Sequence, residues 1–349
     1  MSRITSFLST LKENLGASYK LVSGNQSGDL DSVICSISYA YFAHTVDPSE
    51  QYVPLLNFRK SHALSRKDVM LVLAHFNIDK DSLFFIDDLQ QLKPQGVVLV
   101  DHNSPTSPLT DYKVCGIIDH HDDEHFFPEV SPRIVQKAGS CSTLIADYWL
   151  QQGVSLDSEL VQFLLAPLTM DTRNLTVRME PIDVEIAKKY QEFISPIEIT
   201  SWFTELQESK LDISGLSGHE VLAKDYKLFE FGVGTEEVPK KIGISAIVKP
   251  YSWLKSEYNF QEELANYLKD QQLDVLLFMT AFEQGQFQRE LGYVVKDEGN
   301  ELIMDLAFVS SLIEELQLEL IEGKVFKQNN VAASRKQVAP ALKSALERL

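Results

Sequence analysis

Cysteine is scarce. The 349 residues contain three, Cys35, Cys115 and Cys141, far apart in the chain. An odd, low count without close spacing argues against a disulfide framework and against a thiolate metal site. It fits small buried hydrophobes in a reducing compartment. Long apolar runs are also missing: none approaches the roughly 18–20 residues that cross a bilayer. The opening segment, MSRITSFLSTLKENLGASYK, carries Glu13 and has no clean apolar stretch of the signal-peptide kind. The expected location is cytoplasmic, with a mitochondrial address as the alternative. Positive charge is short too, with 32 Lys and Arg against 50 Asp and Glu and a net charge of −18. That balance argues against nucleic-acid or membrane-surface partners. Internal repeats, low-complexity tracts and a heptad seam are all lacking, so a monomer is expected.

What is present is a chain with 44% apolar residues, ordinary for a globular protein. Its length allows two domains with real cores. The first half alternates in type. Residues 20–23, 52–56, 83–86, 96–100 and 114–118 are short, apolar and β-rich. Residues 30–44, 66–76, 138–150 and 156–169 show helical patterns. Strands alternating with helices predict an α/β domain with a mainly parallel sheet. Past a charged helix at 180–196 the texture changes. Helix is expected at 197–208, turns and a β-rich run at 232–248, helix at 251–270 and strand at 273–280. Extended chain is expected at 289–295 and helix at 305–320. The boundary is expected near residue 195, giving domains 1–195 and 196–349, the second a smaller α/β unit.

Three of the strands run into polar clusters: GNQSGDLD after residue 23, DHN at 101–103 and DHH at 119–121. Ligands of open α/β sheets bind beyond the carboxyl ends of the strands, so the three clusters should meet at one edge. Asp171, ending a helical stretch, adds a fourth acid. Taken singly, Asp29 could cap the next helix and a His-His pair could be packing. Taken together, they form an oxygen and imidazole set for divalent cations. Two such ions, about 3.5–4 Å apart across a bridging carboxylate, would activate a hydroxide and neutralise phosphoryl charge.

The clusters resemble the DHH phosphoesterase superfamily. AGSCSTLIADYW at 138–149 and LLAPLTMDTRNL at 164–175 look like its following motifs, and the likeness covers about the first 180 residues. WFTELQESKLDISGLS at 202–217, KDYKLF at 224–229 and SRKQVAP at 334–340 resemble the DHHA2 domain. The resemblance implies a metal-binding catalytic domain followed by a substrate-binding one, with the site between them and a hinge near 195. It implies Asp29 on a first metal, Asp31 on a second, and Asp101 as the bridge. His120 and Asp171 would complete the second metal's ligands, and Asp119 would be structural. His121 would contact substrate phosphate, as would His102, Lys227, Arg335 and Lys336, which supply the positive charge the chain is short of. Lys210 and Lys224 are expected as solvated surface residues.

One departure shifts the reading. Asn25 stands where family II pyrophosphatases have a metal-binding histidine, a pattern similar to fungal cytosolic exopolyphosphatases and prune proteins. Losing an imidazole should favour Mg²⁺ over Mn²⁺ or Co²⁺. It leaves open whether Asn25 is a ligand or positions the nucleophile. The expected activity is an exopolyphosphatase releasing terminal orthophosphate from inorganic polyphosphate, with Asp29, Asp101, His121 and Asn25 as its catalytic groups. Alternatives are a family II-type pyrophosphatase, a prune-like hydrolase of short polyphosphates or cyclic nucleotides, or a polyphosphate-binding module without turnover.

Overall fold

The computed structural model describes residues 2–234 and 238–349. The chain divides into two compact units, Met1–Asp212 and Ile213–Leu349. The break falls beyond the expected position near 195. The helix between the two points buries Ile199, Trp202 and Leu206 in the first unit's core and so belongs to that unit.

Six strands build the first unit's sheet: β1 (Lys20–Ser23), β2 (Tyr52–Leu56), β3 (Phe84–Phe85), β4 (Val97–Val100), β5 (Val114–Asp119) and β6 (Arg133–Val135). Their order is β3-β2-β1-β4-β5-β6 and every pairing is parallel. The central strands are apolar on both faces, as helices on both sides of a parallel sheet require. All four residues of β4, VVLV, are buried. The helices are α1 (Arg3–Glu13), α2 (Leu30–Val46), α3 (Lys67–His75), α4 (Cys141–Gln151), α5 (Ser158–Asp171), α6 (Pro181–Tyr190) and α7 (Pro196–Leu211). Fourteen of the seventeen residues of α2 are buried, which makes it a core helix rather than a surface one. The chain runs outward from β1 to β3 and then returns to the other side of β1. The order therefore reverses between β1 and β4, where such sheets open a crevice.

Among the described residues, the second unit also has six strands: β7 (Tyr226–Phe231), β8 (Lys240–Ile247), β9 (Val275–Gln284), β10 (Gln286–Val295), β11 (Leu318–Glu322) and β12 (Val325–Gln328). Their order is β11-β12-β10-β9-β8-β7, antiparallel except for β8 with β9. Its helices are α8 (Gly218–Lys224), α9 (Tyr251–Glu257), α10 (Phe260–Asp270), α11 (Glu298–Ala307), α12 (Ile313–Glu315) and α13 (Arg335–Glu347). Strand β9 alternates, with Val275, Leu277 and Met279 in one apolar cluster and Leu276 and Phe278 in the other. Each face of this sheet therefore carries its own core.

Several expected elements are redrawn. The helix at 251–270 is two helices, because Tyr258 is extended and its hydroxyl donates to the Leu216 carbonyl at 2.9 Å. The helix expected at 305–320 begins earlier, at Glu298, where the Asp297 side chain accepts from the Asn300 N–H at 2.9 Å. It ends before Gln317, whose φ of +52° turns the chain into β11. The short strands β6, β11 and β12 and the terminal helices α1 and α13 were not anticipated. Part of the turn expected at 232–248, residues 235–237, lies outside the described residues.

Candidate metal centre

Strands β1, β4 and β5 are neighbours, and each ends in one of the polar clusters. The loop after β1 turns at Gly28, whose φ is +52°. A side chain there would also collide with the Phe58 ring. Arg66, 3% exposed, clamps this loop. Its guanidinium donates to the carbonyls of Ser27 at 2.7 Å and Gly28 at 2.9 Å and stacks 4.0 Å from the Phe58 ring. Asp29 then caps α2, accepting from the Ser32 N–H at 3.1 Å.

Asp101 follows β4 with a left-handed φ of +60°, a conformation that Asp and Asn tolerate better than most side chains. Its Oδ2 accepts from Asn25 Nδ2 and from Ser32 Oγ, each at 2.6 Å. The other oxygen, Oδ1, lies 3.2 Å from His120 Nε2 and 3.8 Å from His121 Nδ1. Burial alone would raise this carboxyl's pKa. The hydrogen bond to His120, the charges of His121 and His120, and the Ser32 hydroxyl outweigh it and hold the pKa below the ordinary value. Asn25 is engaged at both ends, since its Oδ1 accepts from the Ser27 N–H at 2.9 Å and hydroxyl at 2.5 Å. Its amide fixes Asp101.

After β5 the two histidines are held differently. His120 Nδ1 donates to the Ala138 carbonyl at 3.0 Å, which turns Nε2 toward the acids. His121 Nδ1 lies 2.7 Å from Asp119 Oδ1. Asp119 is fully buried and also accepts from Asn103 Nδ2 at 2.6 Å. Burial pushes the Asp119 pKa up, but the hydrogen bond to His121 and its charge, with Asn103, bring it below the ordinary value. Asp119 therefore orients a histidine. His102 bonds the Val100 carbonyl at 2.9 Å through Nδ1.

Asp31, on the first turn of α2, enters a cradle at the N-terminus of α4. It accepts from the Cys141 N–H at 2.7 Å, the Ser142 N–H at 3.0 Å and the Ser140 hydroxyl at 2.9 Å. Burial and the charge of Asp101 still push its pKa up to about 6. Asp171, at the end of α5, has its carboxyl raised well above the ordinary range by burial and by the charges of Asp31 and Asp29. One of its oxygens, Oδ2, is sealed from solvent without a hydrogen-bond partner.

These observations test whether cations fit. His120 Nδ1 carries a proton for the Ala138 carbonyl, so Nε2 and Asp101 Oδ1, 3.2 Å apart, are bridged either by a second ring proton or by a bound cation. The partnerless Asp171 oxygen and the raised pKa values of Asp31 and Asp171 are relieved by the same bound positive charge. Ligand atoms of Asp101, His120 and His121 lie within 4.8 Å of one another, a grouping able to hold a metal ion. The donors are oxygen and imidazole, so the set fits divalent cations. In the second unit, Arg335 donates to Asp225 Oδ1 at 2.6 Å and to the Asp225 carbonyl at 2.8 Å, tying α13 to the start of β7. Lys336 is exposed and Lys227 half-buried on β7.

Ser32, Asn103, Arg66 and Ser140 were missed as supports. Ser140 lies inside AGSCSTLIADYW and Asn103 inside DHN, and Ser32 directly follows GNQSGDLD. Nothing in the sequence pointed to Arg66.

Residues 20–168 match the DHH family, N-terminal domain, and residues 204–345 match the DHHA2 domain. A Schizosaccharomyces pombe protein named "Putative exopolyphosphatase" is 29% identical over 95% of this chain and 92% of its own length. The Homo sapiens "Exopolyphosphatase PRUNE1" is 27% identical over 93% of this chain and 75% of its own. A Methanocaldococcus jannaschii "Manganese-dependent inorganic pyrophosphatase" is 24% identical over 93% of this chain and 99% of its own. The fold is shared with a crystal structure described as a "Methanococcus jannaschii putative family II inorganic pyrophosphatase". The TM-score is 0.67 at 22% identity, covering 94% of this chain and 99% of that one.

Proposed function

We propose that this chain, which belongs to the DHH phosphoesterases and carries a C-terminal DHHA2 domain, is a metal-dependent exopolyphosphatase that releases orthophosphate from the end of inorganic polyphosphate. The observation that carries a phosphoanhydride hydrolase is the cluster at the ends of β1, β4 and β5. There a pinned Asp101 faces His120 and His121 beside two raised acids. The polyphosphate substrate is supported by two relatives named as exopolyphosphatases, each matched over more than nine-tenths of this chain.

In this reading Asp29, Asp31, Asp101, His120 and Asp171 hold two divalent cations, Mg²⁺ first and Mn²⁺ or Co²⁺ as alternatives. Such ions, when bound, lower the pKa of water and neutralise charge on phosphoryl oxygens. The residues supply positioning, which carries most of the catalysis in phosphoryl transfer. Asn25 and Ser32 hold one oxygen of Asp101 and leave the other exposed to the centre. His121, oriented by Asp119, presents its remaining nitrogen to a phosphate oxygen. His102 is a further phosphate contact. In the second domain Lys336 and Lys227 are phosphate ligands, while Arg335, engaged by Asp225, acts chiefly by holding the start of α13. The chain works on its substrate as a cytoplasmic monomer, without nucleic acid or membrane.

A pyrophosphatase is the second reading, favoured by the archaeal relative that is matched over almost its full length. The test supplies purified chain with Mg²⁺, Mn²⁺ or Co²⁺ and a length series from pyrophosphate to long polyphosphate. Released phosphate should rise sharply for chains longer than two phosphates. Preference for pyrophosphate would move the assignment to the second reading, and no release with any of the three metals would end both.

A further inference from the structure

Both His120 and Asp31 depend on one short segment, residues 138–142. The Ala138 carbonyl takes the His120 Nδ1 proton, while Ser140, Cys141 and Ser142 donate to Asp31. That segment is held by a residue far along the chain. Asp183, on the first turn of α6, is 0% exposed. Its Oδ2 accepts from the Gly139 N–H at 2.6 Å and from the Glu180 N–H at 2.7 Å, and its Oδ1 accepts from Thr143 Oγ1 at 2.6 Å. A helix-capping role accounts for the Glu180 bond alone. The other two reach back 44 and 40 residues to the segment beside the metal centre. Gly139 is tightly seated, since a side chain there would meet Thr172 Cγ2 at 2.5 Å and Asp183 Oδ2 at 3.1 Å.

We propose that Asp183 is a positioning residue of the metal centre. It fixes residues 138–142 so that His120 keeps its Nδ1–H tautomer and Asp31 keeps its cradle, aiming both at one point. The inference rests on the metal-centre reading above. Groups that orient metal ligands typically change metal affinity or activity by about 10–100-fold when removed.

The test compares wild type with Asp183→Ala and Asp183→Asn. Mn²⁺ affinity is measured by calorimetry, and the His120 ring nitrogens are followed by NMR in the metal-free chain. Asp183→Ala should lose about 10–100-fold in Mn²⁺ affinity and show a mixed His120 tautomer. Asp183→Asn should recover most of the affinity. Its amide oxygen can accept from Gly139 and Glu180, and its nitrogen can donate to the Thr143 hydroxyl. A folded Asp183→Ala chain with wild-type affinity and an unchanged tautomer overturns the proposal. If that chain does not fold, Thr143→Val, which deletes only the Oδ1 bond, takes its place. Weaker Mn²⁺ binding in that variant supports the proposal, and unchanged binding overturns it. A wild-type chain that binds no Mn²⁺ ends the metal-centre reading instead, and the His120 tautomer then decides on Asp183. Neither readout uses polyphosphate, so the substrate assignment fails or stands separately.

Discussion

Removing metal and then lowering the pH should make this protein more stable over part of the acid range, against the usual trend. Asp31 moves from an ordinary 3.8 to about 6 in the fold, chiefly by burial and then by the Asp101 charge. The native state therefore binds a proton at a pH where the unfolded chain does not. Between about pH 4 and 6 the native state holds more protons, so stability falls as pH rises through that window. The full shift of about two units corresponds to roughly 3 kcal/mol at about 1.36 kcal/mol per unit. Between pH 7.5 and 5 only part of it is realised, roughly 1–2 kcal/mol from Asp31 alone. For a unit of this size that is about 3–6 °C in Tm. Asp171 is raised as well and adds in the same direction. Asp101 and Asp119 are lowered, so the stability they contribute is lost only as pH falls below about 4, outside the window. The assay is thermal unfolding of metal-free wild type and Asp31→Asn at pH 5 and 7.5. Comparing the two removes general charge effects. Wild type should gain about 1–2 kcal/mol more than the variant on acidification. Saturating Mn²⁺ should reverse the wild-type slope, because the metal selects ionised carboxylates. Equal slopes for the two metal-free chains would refute the reasoning.

Asp101→Asn should keep its fold, because Asn tolerates the left-handed conformation, yet lose about a hundred-fold or more in turnover; full turnover would remove Asp101 from the centre. Asn25→His should raise the ratio of kcat/KM with Mn²⁺ to that with Mg²⁺, and an unchanged ratio would show that this position does not tune metal choice. Lys336→Ala should raise KM for polyphosphate with little change in Tm. Arg335→Ala should instead lower stability by about 1–3 kcal/mol, because it unties Asp225 and two backbone carbonyls; denaturant titration beside kinetics separates the two.

The parallel sheet and its site edge could be read in advance because buried parallel strands are short apolar runs and the clusters follow them directly. Asp101, His120, His121 and Asp31 do converge where β1, β4 and β5 end. What holds them was less visible. The sequence leaves Asn25 open between ligand and positioner, and its amide on Asp101 supports the second. Arg335 read as a phosphate ligand from its motif, but its guanidinium is engaged by Asp225, a contact that depends on how β7 meets α13. Asp183 showed only as a residue near the start of a charged helix, and its reach to Gly139 is a tertiary fact. Strands β11 and β12 were hidden because Leu320 and Ile321 are exposed, so that stretch lacks the alternation of a half-buried strand.

The reversal of strand order between β1 and β4 has a consequence for how the protein is made. Residues that form or hold the centre enter the chain from position 25 to position 183, and parallel strands pair only after their crossovers are complete. No short stretch of the emerging polypeptide contains the centre, and closing such distant contacts is slow. A nascent chain lacking α4 to α6 has the acids of the first loops, but it lacks the Cys141 and Ser142 N–H groups of the Asp31 cradle and the Asp183 carboxylate that holds the segment carrying the Ala138 carbonyl. Metal capture therefore reports that the whole first unit has folded, and the ions stabilise the finished structure over every partly made one.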